Sequence, residues 1–495
     1  MALEVISRRS IVNSFAAVFV NEVGRYLLLL ATVAATASCY EHTTLREPPV
    51  IEDCGWDGSP APEGQALALG SYHTCALSST GTVRCWGDYQ PCHDCEGEGT
   101  GYTEASGILG YGNREAIGDD ETPASAGDVD IGGPVKQITA GGSNTCALLE
   151  SGEVRCWGSK LLSDDVIGDD ETPASEGNVD VGGPVKQIAM GSSHTCTLLE
   201  SGSVRCWGIG DFGHLGYGNP DSIGDDETPA SAGDVDVGGP VKQIAAGAYH
   251  TCALLESGAV RCWGSNEIVR TLDCTAQHSS YETSFGVLGY GYDTGDIGDD
   301  ETPASVGDVD VGGPVRQIAA GYEHTCALLE SGAVRCWGNN YVLEPCFNVG
   351  RVEVLGVLGN ESDERVIGDD ETPAEADEVF IGEPVVSLSA GWHATCAVLE
   401  SGRVRCWGLG IFGQLGYGNT RSIGNNETPA RAGDVPLGCS AWQVLTGGYG
   451  HTCAFLRNGS VRCWGANGAA QLGHYFPEKI GDDETPESAG DVPVW

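Results

Sequence analysis

What this chain of 495 residues lacks narrows its reading first. Basic residues are few: 25 Lys and Arg stand against 70 Asp and Glu, a formal charge of −45. Such a surface repels phosphate backbones and forgoes the counterion release that drives nucleic-acid binding, so no nucleic-acid partner is expected and a strongly solvated surface is. Methionine (2) and phenylalanine (9) are scarce, and no stretch keeps a helical apolar period over three turns, which argues against a helical core. No G-x-S-x-G, Walker-type loop, zinc-protease helix or coherent nucleophile and base pair occurs. The expectation is a protein that is not an enzyme and needs no cofactor.

What the chain has is glycine, at 74 residues, and cysteine, at 21. The stretch Gly247 to Gly264, G-A-Y-H-T-C-A-L-L-E-S-G-A-V-R-C-W-G, recurs in seven close copies. Two β-forming runs, Thr251 to Leu255 and Ala259 to Trp263, flank Glu256-Ser257-Gly258, the pattern of a hairpin. A three-residue hairpin loop commonly ends on a left-handed residue, which Gly258 supplies at little cost. That loop sets Val260 against Leu254, Arg261 against Ala253 and Cys262 against Cys252, close enough for a cross-strand disulfide. The other copies repeat the interval, pairing Cys75 with Cys85, Cys146 with Cys156, Cys196 with Cys206, Cys326 with Cys336, Cys396 with Cys406 and Cys453 with Cys463. The first cysteines are separated by 71, 50, 56, 74, 70 and 57 residues, a period for one supersecondary unit stacked repeatedly.

Regular cysteine pairs imply an oxidising compartment. Arg25 precedes an apolar run, Tyr26 to Ala35, that is too short to span a bilayer and suits a signal peptide with small residues at Ala35-Thr36-Ala37. Thr36-Ala37-Ser38-Cys39 is similar to a bacterial lipobox with Thr36 where leucine is usual, so Cys39 is a candidate for lipidation and the protein for export to the cell envelope or secretion. Ser7-Arg8-Arg9 is similar to a twin-arginine signal; a true start near Val23 is the alternative. The expected layout is a signal peptide over 1–38, a flexible Pro- and Glu-rich tether over 39–64, and a repeat body over 65–495.

Each unit opens on a strand such as Val241 to Ala246, and the hairpin supplies the second and third. A fourth strand is expected in segments such as Gly233 to Val237. Between third and fourth lies a second phrase, I-G-D-D-E-T-P, starting at Ile117, Ile167, Ile223, Ile297, Ile367, Ile423 (as I-G-N-N-E-T-P) and Ile480. Insertions at Asp88 to Gly107, Ser265 to Phe285 and Asn339 to Leu355 break the pattern; such additions project on one face, where repeat proteins bind. Four short strands cannot bury both sheet faces alone, and seven radial units around an axis solve this. The fold expected is all-β, a seven-bladed β-propeller of four-stranded antiparallel blades, monomeric.

The phrases G-x-x-H-T-C-A-L, S-G-x-V-x-C-W-G and G-Q-L-G-x-G resemble the regulator of chromosome condensation repeat family over nearly the whole mature chain. The resemblance implies a seven-bladed propeller. It is less specific for function, since the founding member is a nuclear guanine-nucleotide exchange factor that contacts chromatin while another member is a secreted bacterial β-lactamase inhibitor. Departures are local: Asn144 replaces the histidine in repeat two, His393 is shifted by one in repeat six, and repeat two lacks the G-Q-L-G element.

Several residues are candidates for chemistry. His73, His194, His250, His324 and His451 share one repeat position, so they spread around the axis; a structural role bonding backbone groups is expected, with a central binding role as the alternative. Arg84, Arg155, Arg205, Arg261, Arg335, Arg405 and Arg462 precede the second cysteines and are expected to pair with carboxylates of the I-G-D-D-E-T-P phrase. That phrase is read as a turn, with calcium as the alternative. Cys92-His93-Asp94-Cys95 is read as a loop disulfide between Cys92 and Cys95, with zinc as the alternative, and no metal site is expected. Cys274 and Cys346 occupy equivalent loops and are expected to bridge repeats four and five. Cys54 and Cys439 are expected to clasp the ring. The function expected is a non-catalytic scaffold binding a protein or cell-surface ligand through its loops; a secreted enzyme inhibitor and, by resemblance alone, a nucleotide exchange factor are the alternatives.

Overall fold

The hairpin glycine sets the geometry of every unit. Gly258 adopts φ 86°, its N–H donates to the Leu255 carbonyl (2.9 Å), and the Leu255 N–H donates to the Ala259 carbonyl (2.9 Å). The strands His250–Leu255 and Val260–Gly264 therefore pair with Cys252 opposite Cys262. All seven hairpins repeat this register, and each of the seven hairpin pairs is a disulfide. Cys75 is bonded to Cys85, Cys146 to Cys156, Cys196 to Cys206 and Cys252 to Cys262. Cys326 is bonded to Cys336, Cys396 to Cys406 and Cys453 to Cys463. The Cα atoms within each pair stand 4.0–4.1 Å apart.

The protein is described from a computed structural model over residues 64–88, 106–160, 162, 165–271, 281–343, 353–474 and 478–495, all within one compact unit. The expected signal peptide and all but the last residue of the expected tether, with Cys39 and Cys54, and the loop cysteines Cys92, Cys95, Cys274 and Cys346 lie outside the described residues. Nine small antiparallel sheets are present, seven of them the blades. Among the described residues, α-helix is confined to four-residue turns such as Pro123–Ala126, and no helix is long and apolar enough to cross a membrane.

The fourth strand is not where the sequence suggested. Segments such as Gly233 to Val237 touch the third strand at one bridge, Val204 to Val235, and the isoleucine of the acidic phrase touches it at another, Gly208 to Ile223. Only blades 2 and 5 extend the second contact into a strand, Val166–Ile167 and Val366–Ile367. A left-handed glycine follows the isoleucine in every blade, Gly168 at φ 115° and Gly224 at φ 115° among them, so the pairing does not run on past it.

The acidic phrase ends by capping one of the short helices. Thr122 is the N-cap of Pro123–Ala126, its hydroxyl accepting from the Ser125 N–H, with proline at the first helical position. The arginine partners also differ from expectation. Nε of Arg84, Arg205, Arg261, Arg405 and Arg462 donates at 2.7–2.8 Å to Asp128, Asp234, Asp308, Asp434 and Asp491 of the G-D-V segments, not to the acidic phrase. The same guanidinium reaches back to the preceding unit: Arg205 Nη1 donates to the Val181 carbonyl (2.8 Å) and Arg84 Nη1 to the Val494 carbonyl (2.8 Å). Only a planar fork with several donors makes both bonds at once.

Candidate functional site

Three belts run around the ring, and together they place the candidate site. On the first strands a bulge after Val241 turns Gln243 outward. Its amide exchanges two hydrogen bonds with Ile318 of the next blade, 2.8 and 3.0 Å. Between the last and first blades Gln443 accepts from the Leu67 N–H (3.1 Å). At the strand ends, small residues such as Ala246, Gly247, Ala320 and Gly321 from all the blades line an axial cavity of about 100 Å³.

The third belt is the histidines. Nε2 of His73, His194, His250 and His324 lies 2.7–2.9 Å from the hydroxyl of Thr145, Thr251, Thr325 and Thr395 in the following blade. His451 meets Thr74 at 3.1 Å and so joins the last blade to the first. These partners are side chains across the blade interface, not the backbone groups expected. A Cβ on Gly247 would overlap the His250 ring, which is why glycine stands three residues before each of these imidazoles except His451, where it stands four before. Burial pushes His250, His324 and His451 down to about 3 and His73 to about 4. They are neutral structural bolts and do not converge on a ligand.

The two residues between that glycine and histidine carry the feature that sequence reasoning missed. Tyr72, Tyr249, Tyr322, Trp392 and Tyr449 stand there in five blades, on the rim where second strands begin. They form a continuous aromatic arc: His214 to Tyr249 (5.7 Å), Tyr249 to Tyr322 (5.7 Å), Tyr322 to His393 (5.6 Å), His393 to Trp392 (4.9 Å), Trp392 to Tyr449 (5.7 Å) and Tyr449 to Tyr72 (5.0 Å). Phe212 and Phe412 extend it from the loops of blades 3 and 6. The shifted His393 belongs to this arc. Its left-handed backbone, φ 98°, carries the ring onto the rim and leaves Ala394 at the interface position. Phe212, Tyr249 and Tyr449 are 53, 39 and 44 % exposed, and Lys479 Nζ rests 5.5 Å from the Phe412 ring centre, so one face of the arc already holds a cation. Blades 2 and 3 interrupt the arc with Ser143 and Ser193.

The insertions leave the third strands at this same rim, each pinched at its base by one side chain. Asp88 accepts from Gly107 (2.8 Å) and Ile108 (3.2 Å), Asn266 from Leu288 (3.0 Å), and Asn340 from Leu358 (3.0 Å). Inside the clamps of blades 4 and 5 stand two extra hairpins, Glu267–Thr271 with Tyr281–Phe285 and Tyr341–Leu343 with Glu353–Leu355. Their bases share an apolar cluster of Ile268, Val287, Tyr341 and Val366, and Val342 packs with Leu409 next to Trp392. The hairpins thus wall one side of the arc.

The acidic phrases lie elsewhere in each unit. In at least five blades the two Asp and the Glu bring carboxylate oxygens within 4.8 Å of one another. Burial and the adjacent aspartates raise Glu121 and Glu371 to about 8. Hydrogen bonds such as Asp120 N–H to Asp119 (2.9 Å) and the threonine cap account for the turn without an ion.

The repeat profile described as "Regulator of chromosome condensation (RCC1) repeat" matches seven segments: 65–88, 135–159, 185–213, 241–267, 315–342, 385–414 and 445–471. The ultraviolet-B receptor UVR8 of Arabidopsis thaliana is 31 % identical over 427 residues, 86 % of this chain and 70 % of that protein. The chain belongs to the RCC1 repeat family. The probable E3 ubiquitin-protein ligase HERC4 of Mus musculus is 28 % identical over 235 residues, 47 % of this chain and 18 % of that protein. Among solved structures, yeast RCC1 (Prp20) bound to Kap60 superposes with a TM-score of 0.52 at 21 % identity, covering 77 % of this chain and 78 % of the other. Prp20p of Saccharomyces cerevisiae, solved together with its binding properties to Gsp1p and histones, gives 0.51 at 21 % identity over 77 % and 80 %. These structures establish the seven-bladed propeller and nothing finer.

Proposed function

We propose that this RCC1-repeat protein is a non-catalytic interaction scaffold, and that the aromatic arc with its two flanking hairpins binds a basic segment of another protein. The continuous run of aromatic rings carries the reading. Tyrosine and tryptophan are the side chains that most often anchor protein interfaces, and their π faces attract Lys and Arg. A chain with a formal charge of −45 draws such a segment in. The structures of Prp20 with Kap60, and its binding to Gsp1p and histones, support protein binding by this fold. Seven disulfide-bonded hairpins support an oxidising compartment, and with it export to the cell envelope or secretion, a setting in which a cytosolic nucleotide exchange role has no substrate. Inhibition of a secreted enzyme would use the same rim.

The test replaces Tyr249 and Tyr449 with serine, the residue that Ser143 and Ser193 already show at this rim. Affinity capture from envelope extract should then lose the partners held by the wild type, while the melting temperature stays within a few degrees. Undiminished capture would place the binding face elsewhere.

A further inference from the structure

Six blades share a compact turn that plugs the gap to the next blade, and the seventh gap is open. The turns centre on Leu109, Leu215, Leu288, Leu358, Leu415 and Leu472, each at most 2 % exposed. The glycine after each leucine lies against the hairpin tryptophan of the following blade, Gly216 on Trp263 and Gly416 on Trp464 for example. Where the fit is tightest, one plug carbonyl accepts two bonds: Gln414 O from Trp464 Nε1 (2.9 Å) and Thr452 Oγ1 (2.9 Å), and Gln471 O from Trp86 Nε1 (2.9 Å) and Thr74 Oγ1 (3.0 Å).

Among the described residues, blade 2 has no plug, and Leu162 of its short loop only lines the edge of the gap. This blade passes from the third strand, which ends at Ser159, to Val166 without the G-x-L-G phrase. Three consequences appear in blade 3. Trp207 is the one hairpin tryptophan that is not buried. A Cβ on Gly298, Gly424 or Gly481 would run into the previous plug's backbone, whereas one on Gly224 would meet nothing nearer than Leu162 at 3.9 Å and Trp207 at 4.0 Å. A cavity of about 430 Å³ opens between the blades, lined among others by Asn144, Trp157, Met190, Thr195 and Trp207. Among the described residues, neither Thr195 Oγ1 nor Trp207 Nε1 has a hydrogen-bond partner, and Asn144, standing where a histidine would reach Thr195, makes no side-chain bond either. The cavity meets the rim where Ser143 and Ser193 break the aromatic arc.

We infer that this cavity is a docking site for a leucine-bearing turn donated by a partner protein. All six plugs set a leucine-bearing turn against the next tryptophan, and the two tightest define the rest of the missing piece, a backbone carbonyl within reach of both the indole N–H and the threonine hydroxyl. Both donors and the exposed indole face wait in blade 3, and supplying the plug in trans satisfies them together. The site stands independently of the aromatic arc.

A peptide with the sixth blade's plug sequence, residues 411–419, provides the probe. Calorimetric titration into the full chain should give saturable one-to-one binding, with Kd on the order of 10–1,000 μM for so short a ligand. The same peptide with its leucine changed to alanine should bind at least tenfold more weakly. Replacing residues 159–166 with the third blade's 209–222 supplies a plug in cis; this graft should abolish peptide binding and raise the melting temperature. Trp207→Phe, which keeps the apolar platform and removes the donor, should weaken binding even if the graft does not fold. The arc variant carrying Tyr249→Ser and Tyr449→Ser should bind the peptide as the wild type does. Absence of saturable binding, equal binding of the alanine peptide, or binding retained by a folded graft would overturn the inference.

Discussion

Acid should loosen this ring through its histidines, one interface at a time. His250 is fully buried, bonded through Nε2 to Thr325 at 2.8 Å, and burial holds its pKa at about 3 against an ordinary 6.5. A histidine whose folded pKa lies below its unfolded value contributes stability that is complete above about pH 6.5 and is lost as pH falls toward the folded pKa. Between pH 6.5 and 5 only the unfolded chain takes up the proton, which at 1.36 kcal/mol per pKa unit costs about 2 kcal/mol for this one side chain. His250→Asn removes the group, and Asn144 shows that asparagine fits the strand position. The variant should be less stable at pH 7.5 by about 1–3 kcal/mol, because the Thr325 hydroxyl is left unpaired, yet lose about 2 kcal/mol less than the wild type on going to pH 5. Thr325→Val breaks the same bond but keeps the imidazole, so it should be weaker at both pH values with the wild-type acid sensitivity. Urea denaturation of the three proteins at pH 7.5 and 5 provides the comparison. Equal pH dependence in wild type and His250→Asn would refute the reasoning, as would an NMR titration of His250 near 6.5.

The alkaline limb has the opposite sign: the raised pKa of Glu371, about 8, gives stability that is complete below the ordinary carboxylate range and is lost as pH rises through 8. Asp370→Asn, copying Asn426 of the sixth blade, should therefore raise the melting temperature at pH 9 and leave it unchanged at pH 5. Cys156 is the one hairpin cysteine that is not fully buried and it lines the open cavity, so graded reduction followed by alkylation and peptide mapping should label Cys146 and Cys156 before any other pair. Cys439 is buried and disulfide-bonded; non-reducing peptide mapping should join it to Cys54, and a different mate would remove the proposed clasp between the chain before the first blade and the last.

The parts of this molecule that repeat were legible in the sequence, and the parts that differ between repeats were not. Cysteine at a fixed interval around a glycine loop determines a hairpin register locally, because a one-residue slip would turn both thiols to opposite faces. Relationships between blades carry no such local signature. The arginine partners were assigned to the most acidic phrase, yet geometry gives them to single aspartates such as Asp234, which sit nearer the third strand. From sequence the histidines read as bonding backbone, when the partner is a threonine of the next blade, and for three of the five that threonine itself follows a histidine, as Thr251 follows His250. That signal was present, since His-Thr recurs as a pair, but it becomes a bond only once the units stand side by side. The aromatic arc was invisible for a different reason: it occupies either of two variable positions, Tyr249 in one blade and Tyr322 one residue earlier in the next, so alignment by repeat scatters it.

The missing G-Q-L-G element of repeat two was visible from the start as a local departure, and its meaning depends on how the ring distributes its ties. Blade 4 holds blade 5 by the Gln243 amide, by the Ala248 N–H on the Tyr322 carbonyl (3.2 Å), by His250 on Thr325, and by a plug over Trp337. Between blades 2 and 3, among the described residues, the Gln137 amide on the Ile188 carbonyl at 3.3 Å, a small apolar cluster around Met190, the outer bond of Arg205 to Val181 and the Ala230 N–H on the Asp180 carbonyl (3.1 Å) remain. One interface of the seven has thus shed its histidine, its plug and its rim aromatics together. A closed ring tolerates that, because neighbouring blades are held in place from their other sides and by the seam bonds of Gln443 and His451. Coincident loss of three ties at one interface is what a binding cleft requires, since an occupant can recover their energy only where the fold has left it unspent.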